Sequence, residues 1–240
     1  RIGREMITRL IINSRAYKDS IGEYIHPGKL QELVEKSHYH PSCILGSIYN
    51  QIASHTNARI AGDKSPNDLD YIKILVESES ISGIKVLHLV RDVRDLMVSL
   101  NRTGWLQDAD DYFPRLWSNN NLYLYYKYRH KSEEYFLVRY EDMVKKPKTT
   151  FADICKFLEV DFNADILSPE MRPPRFQDRT NLIKPIYTDR VGVYKSSLPA
   201  STLVNYEQQA GEAMRVFGYT LETTDQPDKS WMDRLSSILR

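Results

Sequence analysis

Between Lys85 and Leu100 the chain reads KVLHLVRDVRDLMVSL, with Arg91, Asp92, Arg94 and Asp95 crowded where an apolar run gives way to an amphipathic one. The apolar half reads as a buried strand and RDLMVSLNR as a helix, so these charges fall at a strand-to-helix junction. In an open α/β sheet, such junctions are where ligands sit. Free backbone N–H groups and the helix dipole there favour an anion such as phosphate. Arg91, the last residue of the strand, can present a bidentate guanidinium, and Ser99, eight residues on, can add a hydroxyl. The same residues also fit a plain helix start at which Arg91 pairs with Asp92 or Asp95.

Other chemistry-bearing residues point less sharply. His38 and His40 form one His-x-His with no third ligand at recognisable spacing, so no metal is expected. His88, inside VLHLV, is expected to be a core residue with a satisfied ring. None of the ten glycines lies in a phosphate-cradling loop, and a Walker-type Gly-Lys-Ser/Thr is absent. A generic P-loop kinase, which would use ATP and magnesium, is thereby disfavoured.

Elements able to position the junction lie on both sides of it. Ile44, Leu45, Ile48 and Ile52 have helical spacing, GKLQELVEK is a shorter amphipathic candidate, and ARIAG at 58–62 fits a brief strand better than a helix. NDLDYIKILVES reads as a helix before the strand KVLHLV. An aromatic run, YFPRLWSNNNLYLYYKYRH, leads to the strand EYFLVRY; its rings could line an apolar acceptor cleft or belong to the core. In TTFADICKFLEV, Phe151, Ile154, Cys155 and Leu158 form a core-facing stripe. The stretch 165–194, rich in Pro, Arg and Asp, reads as a long surface loop of the kind that forms lids or binding segments. A final helix is expected over 201–217, closed by Gly218. WMDRLSSILR could form an interface helix, and a homodimer is an open alternative. Strands alternating with helices predict an α/β fold with a mostly parallel sheet flanked by helices, expected as a single domain over residues 1–240.

Bulk properties exclude several classes. With 33 Lys and Arg against 32 Asp and Glu among 240 residues, nothing draws the chain to nucleic acid or anionic membrane, so any anion site must be local. Cys43 and Cys155 are too few for a disulfide framework and read as reduced core thiols, with a single disulfide as the alternative. No apolar run approaches the roughly 20 residues of a membrane span, and RIGREMITRL lacks a signal peptide's apolar centre. A cytoplasmic location is the simplest expectation, with a Golgi-luminal domain separated from its anchor as the alternative.

The junction does not stand alone. LVRDVRDLMVSL resembles the strand-loop-helix with which sulfotransferases hold the 3′-phosphate of 3′-phosphoadenosine 5′-phosphosulfate (PAPS). AGDKSP at 61–66 is similar to the family's Asp/Glu-Lys-Ser/Thr-Pro segment. FLVRYEDMVKKPKTTFADICKFLEVDF resembles its Arg-Tyr-Glu-Asp strand end and the helix after it. IKPIYTDRVGVYKSSLP and EQQAGEAMRVFGY resemble the loop that closes over the cofactor and the last helix. Four matches in the right order span residues 61–219. The resemblance implies a P-loop-like fold and transfer of a sulfuryl group from PAPS to a hydroxyl or amine, leaving 3′-phosphoadenosine 5′-phosphate, without a metal. It further implies Glu5 as base, Lys64 as the cation near the bridging oxygen, and Arg91 and Ser99 on the 3′-phosphate. Tyr140 would lie near the nucleotide. Where relatives carry Gly-Lys/Arg-Trp, this chain has Gly192-Val193-Tyr194, so Arg190 and Lys195 are the candidates for the loop's cation. RIGREMITRLI resembles the segment next to the family's glycine-rich phosphosulfate loop, on its C-terminal side, in protein-tyrosine sulfotransferases; that loop is therefore expected upstream of residue 1. The acceptor, whether small molecule, glycan or peptide, stays open. A module that keeps the 3′-phosphate socket without turnover is the alternative.

Overall fold

The computed structural model describes residues 2–64, 84–104, 110–168 and 185–223, and the chain divides into two compact units, 1–84 and 85–240. The helix expected in NDLDYIKILVES and the segment WMDRLSSILR lie outside the described residues.

The first unit is helical. Helices α1 (Ile2–Asn13), α2 (Arg15–Asp19), α3 (Pro27–Lys36) and α4 (Pro41–His55) come in order, with a 3₁₀ turn at Ile21–Glu23. Two of them begin His-Pro. Proline tolerates the first turn because its missing N–H would be unpaired there, and the preceding imidazole caps the helix. His26 accepts from the Lys29 N–H at 3.2 Å, and His40 from the Ser42 N–H at 3.4 Å. The His-x-His pair thus contributes a helix cap. Leu30, Val34, Ile44 and Ile48, at helical spacing, meet Tyr17 and Ile25 in one apolar cluster. Burial leaves the Tyr17 hydroxyl no water, and it donates to the Ile25 carbonyl at 2.7 Å. ARIAG at 58–62 is not a strand: these residues are irregular, and Ile60 is exposed. No partner strand among the described residues offers it a ladder, and a lone strand leaves its backbone groups to water.

The second unit holds the sheet. Strand β1 (Val86–Val90) pairs in parallel with β2 (Tyr135–Arg139), with Val90 opposite Arg139. Parallel neighbours need a crossover, supplied by α5 (Val93–Thr103) and α6 (Phe113–Tyr128). The aromatic run is therefore mostly a helix. After β2 come α7 (Tyr140–Lys145), α8 (Pro147–Phe157) and a 3₁₀ turn at Ala164–Leu167. The short α9 (Tyr194–Ser197) then precedes α10 (Ala200–Val216). Gly218, at φ 76°, ends α10 as expected, in the left-handed region that a side chain disfavours.

One core ties β1, α5, α6 and α10 together. Val90, Val93 and Met97 meet Trp117 and Leu122 of α6 and Ala210, Ala213 and Met214 of α10. The helices α6 and α10 pack against each other, and α10 contributes the small Ala210 and Ala213 to this core. His88 is a core residue with both ring nitrogens engaged, by the Tyr135 hydroxyl at 2.5 Å and the Asn121 Oδ1 at 2.7 Å. Desolvation lowers its pKa from 6.5 to about 4, so the ring is neutral. Both cysteines are free, Cys155 buried and Cys43 partly so. The core fixes the directions of β1 and β2, and with them the place where their carboxyl ends open.

Candidate functional site

Arg91 directly follows β1, and Tyr140, the first residue of α7, directly follows β2. The two parallel strands deliver these residues side by side. The Arg91 guanidinium carbon lies 4.6 Å from the centre of the Tyr140 ring, a cation–π stack. One of its Nη atoms donates to the Arg190 carbonyl at 2.9 Å, while its Nε is buried without a hydrogen-bond partner. Burial raises the Tyr140 phenol's pKa, and the nearby Arg91 charge opposes the shift. A half-buried cation with donor capacity to spare is suited to a multiply charged oxyanion.

The plain alternative for Arg91, an ion pair with Asp92 or Asp95, does not form, because both carboxylates are committed elsewhere. Asp92 caps α5: its Oδ1 accepts from the Arg94 N–H at 2.9 Å and from the Arg94 Nε at 3.0 Å, and its Oδ2 from an Arg94 Nη at 2.6 Å. The other Nη of Arg94 donates to Glu207 of α10 at 2.5 Å, and the guanidinium stacks 3.9 Å from the centre of the Tyr194 ring. Arg94 is only 2% exposed. Burial opposes its charge, but Asp92 and Glu207 outweigh that and hold its pKa above the usual range. Burial likewise works against the Glu207 carboxylate, yet it lies below its usual range because the backbone N–H groups of Glu222 and Thr223, the Thr223 hydroxyl and Arg94 all donate to it. Glu141 completes the group, accepting from the Asp92 N–H at 3.0 Å and from the Tyr219 hydroxyl at 2.9 Å. Buried charges are costly unless saturated with partners, and these are saturated.

Asp95, 2% exposed, reaches the C-terminal loop. Its Oδ2 accepts from the Gly192 N–H at 2.7 Å and its Oδ1 from the Tyr194 N–H at 3.0 Å. Gly192 at φ 76° with Val193 after it in the right-handed region turns these N–H groups toward one carboxylate. The loop is thereby held against α5, with its Arg190 carbonyl on Arg91.

The other expected residues are placed less tightly. Ser99 is half-buried on α5, one turn beyond Asp95 and on the same helix face. Arg190 is half-buried and supplies its carbonyl to Arg91. Lys195 is exposed and paired with Glu222 at 2.8 Å, which also accepts from the Tyr194 hydroxyl at 2.9 Å. In the first unit, Glu5 is exposed and paired with Arg9 at 2.8 Å, and Lys64 is exposed beside Asp63, whose carboxylate accepts its backbone N–H. Among the described residues, no group of three or more His, Cys, Asp or Glu could hold a metal ion, and no helix is long and apolar enough to cross a membrane.

Sequence reasoning missed the roles of Asp95, Arg94, Glu141 and Glu207. The first two announced themselves as charges among the core residues Val90, Val93 and Met97, and Glu141 as part of Arg-Tyr-Glu-Asp. Glu207 gave no signal, since its partners come from segments far away in the chain.

A half-buried arginine at paired strand ends, backed by a helix start and a tethered loop, defines an α/β protein with a charged strand-to-helix junction. The sequence carries the matter further: residues 8–164, well over half of the chain, match the Sulfotransferase family, and the chain belongs to it. Its fold is similar to that of the sulfotransferase domain from the olefin synthase of Synechococcus PCC 7002, with a TM-score of 0.58 at 25% identity, covering 89% of this chain and 75% of that one. The sulfotransferase domain from the curacin biosynthetic pathway aligns at 20% identity with a TM-score of 0.47, covering 97% of this chain and 77% of that one. No curated protein matches the sequence. The small parallel sheet flanked by helices is thus the sulfotransferase fold, as expected from the sequence.

Proposed function

We propose that this chain transfers the sulfuryl group of PAPS to a hydroxyl or amine by in-line displacement, with Arg91 and Ser99 binding the 3′-phosphate. Family membership supports the reaction class. The observation that carries the site is Arg91: half-buried at the end of β1, stacked on Tyr140, tied to one carbonyl, and left with an unpartnered Nε. Such a guanidinium fits the charge and geometry of a ribose-borne phosphate. Tyr140 and Arg190 border the same place, Tyr140 for the nucleotide and Arg190 as the loop's cation. Lys195, paired with Glu222, is less free for that part.

In the transfer, a bond forms from the acceptor oxygen or nitrogen to sulfur as the bond from sulfur to the 5′-phosphate oxygen breaks. The electron pair stays on that oxygen, and the acceptor's proton passes to a base. The motifs assign the base to Glu5 and the cation facing the leaving oxygen to Lys64; these two roles rest on the motifs alone. Binding of the 3′-phosphate positions the cofactor and takes no part in bond breaking.

Incubating the protein with sulfur-labelled PAPS and a panel of phenols, sugars and tyrosine peptides tests the reading. Label appearing in one acceptor class, with release of 3′-phosphoadenosine 5′-phosphate, is the expected result. Tight binding of that bisphosphate with no transfer to any acceptor would instead support a non-catalytic module, a reading favoured by Val193 where relatives carry a cation.

A further inference from the structure

We propose that Asp95 is a positioning residue: its carboxylate holds the 190–194 loop in place before any nucleotide arrives, and so fixes the half of the 3′-phosphate socket that the loop contributes. This role rests on the site reading above and deepens it. Asp95 is the third residue of α5, where an acid ordinarily reaches back to the N–H of the capping residue. Here that N–H, of Asp92, is taken by Glu141 at 3.0 Å. Both Asp95 oxygens are left for the loop, and each accepts one N–H, from Gly192 at 2.7 Å and Tyr194 at 3.0 Å.

The tether acts on the socket in two ways. The loop's paired N–H groups, which could otherwise cradle an anion, are filled by the protein's own carboxylate, so phosphate must be held by side chains. The tether also sets the Arg190 carbonyl, which accepts from Arg91 at 2.9 Å and fixes how that guanidinium is turned. Loosening Asp95 therefore acts on Arg91 through the loop, without touching the ligand.

The test compares binding of adenosine 3′,5′-bisphosphate and adenosine 5′-monophosphate to the wild type and to Asp95→Asn by calorimetry. Amide hydrogen exchange over 190–195 is measured in the nucleotide-free proteins. The amide variant keeps one acceptor oxygen and no charge, so one of the two bonds is lost and the other is no longer charge-assisted. Expected is a roughly tenfold loss of bisphosphate affinity, with little change for the monophosphate, and faster exchange at Gly192 and Tyr194. An equal loss for both nucleotides, unchanged bisphosphate affinity, or unchanged exchange would overturn the role. Should the variant fail to fold, the wild type alone decides: slow exchange of both amides without nucleotide supports the tether, and exchange at the rate of a free loop overturns it. Failure of the wild type to bind the bisphosphate overturns the site reading and the positioning role together, whereas slow exchange would still report the tether.

Discussion

The junction after β1 and the start of α1 both carry charges that motifs mark as functional, yet the two regions treat them in opposite ways. At the junction, Asp92, Arg94, Asp95 and Glu141 are buried and hydrogen-bonded, while Arg91 keeps a buried Nε without a hydrogen-bond partner. On α1, Glu5 and Arg9 form one exposed pair, with side chains 61% and 75% exposed. Charge in the first region is mostly scaffold around Arg91; in the second it is solvated and free to take other partners. On the proposed function, a 3′-phosphate anchor that does no chemistry is built into the fold in this way.

Substituting Arg94 with Met should break the contrast most violently. It strands Asp92 and Glu207 as buried carboxylates without their cation, a loss of about 3–5 kcal/mol, readable as a collapse of the urea or thermal midpoint. If Arg94→Met melted like the wild type, the junction would be no more than a surface turn.

A second, smaller effect lies in the pH dependence of the same unit. Burial holds His88 neutral with a pKa near 4 against 6.5 unfolded, so its contribution is lost as pH falls through that interval. Burial also raises Glu212 of α10 from 4.5 to about 7, so its contribution grows as pH falls from 7 toward 4.5. The two slopes oppose each other over most of that range. Glu212→Gln should therefore uncover the His88 loss, up to about 1.4 kcal/mol per pH unit below pH 6.5, in denaturation curves taken at stepped pH. A flat profile in this variant would count against a neutral buried ring.

Smallest in stability is the first unit's pair. Glu5→Gln should change stability by no more than about 1 kcal/mol, since exposed pairs contribute little. The same variant should lower turnover while sparing PAPS binding, as expected of a base; equal loss of both would sink that assignment.

Much of this was legible in the residues. The apolar run KVLHLV and the stripe of TTFADICKF are local patterns, so β1 and α8 were foreseeable. Arg91, Ser99 and Tyr140 carry motif spacing, and the structure stacks Arg91 on Tyr140. ARIAG misled because five apolar-rich residues form a strand only beside a partner, which no local pattern reports. The aromatic run hid a helix because its rings fall on several faces rather than one stripe. Arg94–Glu207 and Asp95–Gly192 join residues more than 90 positions apart, and no spacing in the sequence encodes such pairs.

One titration bears on the anchor more directly than any assay of turnover: adenosine 3′,5′-bisphosphate against the wild type and Arg91→Met. Removing Arg91 gives up one charge-assisted hydrogen bond and one cation–π stack, so the variant should stay folded with a loss of about 2–3 kcal/mol. It should bind the bisphosphate roughly ten- to a hundredfold more weakly, as loss of charge-assisted bonds to phosphate requires. Undiminished affinity in a folded Arg91→Met protein would contradict the assignment of that guanidinium to the 3′-phosphate.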